Sequence, residues 1–123
     1  MRNYSHGFTL IELVMVIVIL GILAVIAIPK YIDLSGSANT SAVQGIAGAL
    51  SAANAVNYAS RSVSTSNGVA IANCTAVASA LVGATLPTGY TITAAAIAVG
   101  ATATCTLTGP SGATATFTAT GIS

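Results

Sequence analysis

The chain has 123 residues, of which 54% are hydrophobic and only 4% charged, against about 25% charged in an ordinary soluble domain. Its length suits one small domain, but the first quarter is too apolar for a globular core, so much of the surface must face lipid or other protein. The charges are Arg2, Glu12, Lys30, Asp33 and Arg61; a chain uncharged beyond Arg61 offers no phosphate-contact groove for nucleic acid, and a neutral, Thr-rich second half has little protection against self-association.

Residues 1–7 form a short start with Arg2 and His6. From Phe8 to Ile28 only Thr9 and Glu12 are clearly polar, and a helix of that length, at about 1.5 Å per residue, crosses the roughly 30 Å hydrocarbon layer of a bilayer. A secretory signal peptide has the same general plan. Against it, the run is long for a signal segment, and its far end reads Ala27, Ile28, Pro29, Lys30, without small residues suited to cleavage. Basic residues before the span keep the N-terminus cytoplasmic and send Lys30 across the membrane.

Beyond Pro29, Val43, Ile46, Ala47, Leu50 and Ala53 recur at spacings of three and four, while Gln44, Ser51 and Asn54 fall elsewhere. That pattern predicts an amphipathic helix to about residue 59. Joined to the apolar run it makes one helix of nearly 80 Å at about 1.5 Å per residue, too long for a domain of this size to bury. Gly21 and Pro29 lie inside it. Each weakens it locally, the glycine by backbone freedom and the proline by a missing donor, so a kink or a meltable stretch is expected between them; mere tolerance, as in other membrane helices, is the alternative.

Residues 61–68 are rich in Ser, Thr and Asn and read as a loop. A short helix is expected over 74–82, ending at Gly83, then a turn at Pro87, Thr88 and Gly89. From residue 101 the period becomes two: Ala101, Ala103, Cys105 and Leu107 alternate with threonines, and Ala113, Ala115, Phe117 and Ala119 do the same. Half-buried strands read this way, and Gly109, Pro110, Ser111 and Gly112 supply the turn of a hairpin. Residues 90–93 are expected as a third strand and 97–99 as a fourth. The fold class is therefore α+β, a long N-terminal helix whose second half (residues 41–59) packs on a small antiparallel sheet, with Cys105 facing inward.

Cys74 and Cys105 are the only cysteines. A pair behind a membrane-targeting segment favours a disulfide made outside the cytoplasm, with two buried thiols as the alternative. Neither has a histidine nearby, so no metal is expected.

Gly7, Phe8, Thr9, Leu10, Ile11 and Glu12 read GFTLIE at the mouth of the apolar run. With the leader, the span, Gly21 and Pro29 in order, this resembles the type IV pilin and pseudopilin family with its class III signal, most closely over residues 6–30. The resemblance implies that prepilin peptidase cuts between Gly7 and Phe8 and methylates the new Phe8 amine. It divides the chain into a cleaved leader (1–7), a transmembrane and polymerisation helix (8–29), an amphipathic helix (30–60) and a globular head (61–123). It also gives Glu12, a carboxylate costing about 2.5–3.5 kcal/mol inside a membrane unless partnered, the Phe8 amine of an adjacent subunit as partner, setting register. A protonated glutamate at the interfacial edge with no assembly role is the alternative.

The function implied is that of a major structural subunit of a filament held by its N-terminal helices, without enzymatic activity or cofactor. Its implied partners are copies of itself, the peptidase, membrane lipid before assembly, and an inner-membrane platform with a cytoplasmic ATPase. The precursor would sit in the bacterial inner membrane and the product outside the cell. Lys30, Tyr31, Ile32, Asp33 and Leu34, with Gln44 and Gly45, are similar to the mannose-sensitive haemagglutinin pilins, which implies a thin fibre for surface attachment, with gliding and phage binding as associated roles. A type II secretion pseudopilin or a minor pilin is the alternative; the acidic calcium loop of major pseudopilins has no counterpart, since no Asp or Glu follows Asp33. With His6 the sole histidine, no acid/base pair or nucleophile triad is in view. Asn39-Thr40-Ser41 and Asn73-Cys74-Thr75 match a glycosylation pattern by chance in such a context.

Overall fold

The computed structural model describes residues 6–123, apart from the side chains of 28–33; Arg2 and the side chains of Pro29, Lys30, Tyr31 and Asp33 lie outside the described residues. The chain divides into two compact units, one up to Gly36 and one from Ser37 onward. The elements are helix α1 (Leu10–Val63), a 3-10 helix (Cys74–Ala80) and strands β1 (Thr91–Ile92), β2 (Thr102–Thr108) and β3 (Thr114–Thr120).

In the first unit the stretch Leu10–Ala27 is apolar and long enough to cross a membrane, with mean hydropathy 3.1, and none of it is buried. The helical assignment runs through both Gly21 and Pro29. A Cβ at Gly21 would meet nothing within 4 Å.

The second unit holds the core. Its sheet has the order β1-β2-β3. The hairpin register runs from Thr102 opposite Thr120 to Thr108 opposite Thr114, placing Cys105 opposite Phe117 and Leu107 opposite Ala115. The turn is closed by Gly109 N–H on the Ala113 carbonyl (2.8 Å), with Gly112 at φ 80°, a left-handed conformation glycine adopts without strain. Even-numbered residues of both strands are threonines directed away from the core, and Cys105, Leu107, Phe117 and Ala119 are buried against Val43, Ala47 and Leu50 of α1. That is the period-two pattern meeting the helical one.

Four expectations need correction. The helix ends at Val63, not near residue 59, because its last turn is held: Ser62 Oγ donates to the Tyr58 carbonyl (2.7 Å), and Arg61 lies where a cation suits the helix C-terminus. The helix after Cys74 is 3-10 and stops at Ala80. The third strand is only two residues long. No strand forms over 97–99: the Ile97 N–H bonds the Ala72 carbonyl (2.9 Å) whereas Val99 bridges Gly121, so the segment's bonds go to two different neighbours and no single ladder can propagate.

Candidate functional site: the N-terminal assembly segment

Residues 6–9 precede the helix in irregular, exposed backbone. Phe8 is 90% exposed, and the space around Gly7 is open to at least 4 Å where a Cβ would stand. A bond between these two residues is therefore reachable by an enzyme that binds extended backbone.

Thr9 immediately precedes the helix and caps it. The Thr9 N–H donates to Glu12 Oε2 (2.8 Å), and the Glu12 N–H donates to Thr9 Oγ1 (3.4 Å). This reciprocal pair is a capping box, satisfying two donors that a helix start leaves unpaired, and it sets a negative charge at the positive end of the backbone dipole. Glu12 therefore has a partner within its own chain, the Thr9 backbone. The signal was Thr-x-x-Glu directly before an apolar run. Oε1 takes no part in the box, which leaves one carboxylate oxygen for a cation from elsewhere.

In the second unit Cys74 and Cys105 form a disulfide with Cα atoms 5.7 Å apart, both buried in the core. It ties the 3-10 helix to the middle of β2. The Asn73 side chain caps that helix: its Oδ1 accepts from Thr75 N–H (3.1 Å), Thr75 Oγ1 (3.1 Å) and Ala95 N–H (3.3 Å).

A polar seam along α1 was not anticipated. Asn54 and Asn57 are buried, and with Leu50 they continue the core stripe at spacings of four and three. Ser51 Oγ accepts from Thr118 N–H (3.1 Å) and Asn54 Oδ1 from Thr120 N–H (3.3 Å), so the helix supplies acceptors to the outer edge of β3. Asn57 exchanges two bonds with Val69, accepting from its N–H (2.7 Å) and donating to its carbonyl (2.8 Å). The expectation that Asn54 falls away from the core-facing stripe is corrected, since it is buried; Ser51 is half-buried beside it. Edge donors of a strand need partners, and leucines there would leave them unsatisfied.

Among the described residues no three His, Cys, Asp or Glu side chains gather where a metal could sit.

Residues 2–28 match the prokaryotic N-terminal methylation motif. The chain is 50% identical over 52 residues to the type IV narrow pilus major component PilA5 of Thermus thermophilus, covering 42% of this chain and 45% of that one. It is 54% identical over 43 residues to the type IV major alpha-pilin of Moraxella bovis, covering 35% and 27%. It is 40% identical over 63 residues to the fimbrial protein EcpC of Eikenella corrodens, covering 51% and 41%. The aligned stretch thus spans less than half the length of each of these relatives. No solved structure matches.

Proposed function

We propose that this chain is a structural subunit of a type IV pilus, made as a membrane-held precursor, cut between Gly7 and Phe8, methylated on Phe8 and polymerised through its apolar helix, with no catalytic role of its own. The observation that carries this is the joint presence of a methylation motif over residues 2–28 and a capped, wholly unburied apolar helix starting at Leu10. A helix so exposed must be covered by lipid or by its own kind. The relatives named above are pilus and fimbrial proteins, two of them described as major components; the narrower likeness to mannose-sensitive haemagglutinin pilins rests on residues 30–34, 44 and 45 alone.

The rest of α1 fits this role. On its outer side Ala42, Gly45, Ala49 and Ala52 are exposed and carry no charge, a surface on which neighbouring helices pack closely. Glu12 then acts twice, capping its own helix through Oε2 and offering Oε1 to the Phe8 amine of an adjacent subunit. Prepilin peptidase, an inner-membrane platform and a cytoplasmic ATPase are the implied assembly partners, and a local melting of α1 between Gly21 and Pro29 belongs to the same proposal.

Mass analysis of sheared surface filaments tests it. The expected mature chain begins at methylated Phe8, and Glu12→Ala abolishes fibres while membrane-inserted monomer persists. Intact precursor only, or cleavage near Ile28, would replace this account with an anchored or secreted domain. Short periplasmic assemblies in place of long fibres would favour the pseudopilin.

A further inference from the structure

The loop after α1 holds Asn67 directly before Gly68, and we propose that this pair is a site of spontaneous deamidation that sets a new carboxylate beside Arg61, the only charged side chain beyond Asp33. In this chemistry the Gly68 backbone nitrogen loses its proton to water and bonds to the Asn67 side-chain carbon. The bond to Nδ2 breaks, ammonia leaves, and a five-membered imide remains. Water then opens either imide carbonyl, giving aspartate or isoaspartate at position 67. Nothing is oxidised or reduced, and water is the only co-reactant.

Three observations favour this pair over the other asparagines. Both residues are exposed, and glycine presents no Cβ to hinder the nitrogen's approach. The Asn67 backbone is held in a turn by its N–H on the Ser64 carbonyl (3.0 Å), while neither its side-chain amide nor the Gly68 N–H has a hydrogen-bond partner among the described residues. By contrast the side chains of Asn54, Asn57 and Asn73 are all engaged.

The third observation is Arg61. Its Nη1 lies 3.4 Å from the Asn67 carbonyl oxygen and 3.4 Å from that of Gly68. The first of these oxygens belongs to the very peptide whose nitrogen must be deprotonated, and the charge released there spreads onto that oxygen. A guanidinium beside it stabilises the anion, as fixed donors do wherever charge develops. The product carboxylate then offsets the one charged side chain of the second unit. An isoaspartate would also lengthen the backbone next to Gly68, which sits at φ 68° with the Asn57 side chain against it, and so disturb the Asn57–Val69 bonds.

The test is incubation of the full-length purified protein at mildly alkaline pH in heavy-oxygen water, followed by peptide mass mapping. Expected is exchange of NH2 for OH confined to the peptide holding Asn67, with heavy oxygen in the new carboxylate, both aspartate isomers present, and Asn54, Asn57 and Asn73 unchanged. Arg61→Gln should slow the conversion in the folded protein but not in the urea-unfolded chain, and Arg61→Lys, which keeps a cation there, should restore part of the rate. An Asn67 that stays intact in the folded protein while the unfolded chain converts overturns the proposal. Conversion indifferent to both Arg61 substitutions overturns it equally.

Discussion

The apolar residues of α1 before Ala27 and the stripe of Val43, Ala47 and Leu50 meet opposite fates. Ile17 is 57% exposed and Leu20 59%, whereas Leu50 is 0% and Val43 1%. The earlier stretch is apolar on every side, and none of it is buried among the described residues. The later one turns one apolar stripe, Val43, Ala47 and Leu50, into the core, while Ala49, Ala52 and Val56 stay exposed. One helix thus carries two kinds of hydrophobic information: an all-round coat is a statement about the surroundings, and a stripe is a statement about the fold.

If this contrast holds, damage to each region should stay in that region. Replacing Cys74 and Cys105 by alanine has the largest expected effect, since a loop of 31 residues' separation is released. The loss is about 3–4 kcal/mol by chain-entropy reasoning, read as a lower denaturation midpoint for the second unit, while membrane insertion of the precursor is unchanged. A drop in insertion would show that the two regions are not independent.

Val18→Lys attacks the other side of the comparison. A charge in the middle of the span costs about 2.5–3.5 kcal/mol on insertion scales, so membrane-inserted protein should fall while the thermal midpoint of the second unit stays put. Thr9→Ala is the mildest. Removing the Oγ1 that accepts from the Glu12 N–H should cost about 1 kcal/mol of local helix stability, visible as faster amide exchange over the first turn, with the residue-9 N–H still donating to Glu12 Oε2 and the core unaffected. Faster exchange in β2 or β3 would break the comparison.

How far the residues alone lead depends on how local the determinant is. The Ala/Thr alternation of 101–108 and 113–120 announced two strands, and the Gly-Pro-Ser-Gly between them announced their hairpin, because pleat and turn are set within a few residues. Asn54 and Asn57 were misread or missed for the opposite reason. A helical wheel counts an asparagine as solvent-facing. Only the placement of β3 and Val69 beside α1 shows that the core stripe must switch there from leucine to amide.

By itself the sequence determined the pieces whose cause is close at hand: the apolar span, the motif before it, the alternating strands and the turn between them. Tertiary structure alone decided why 97–99 is not a strand and why Asn54 and Asn57 lie on the buried side of α1. Each of these depends on which distant donor or acceptor lies within about 3 Å, and hydrogen-bond satisfaction across the core is a property of the packed chain as a whole.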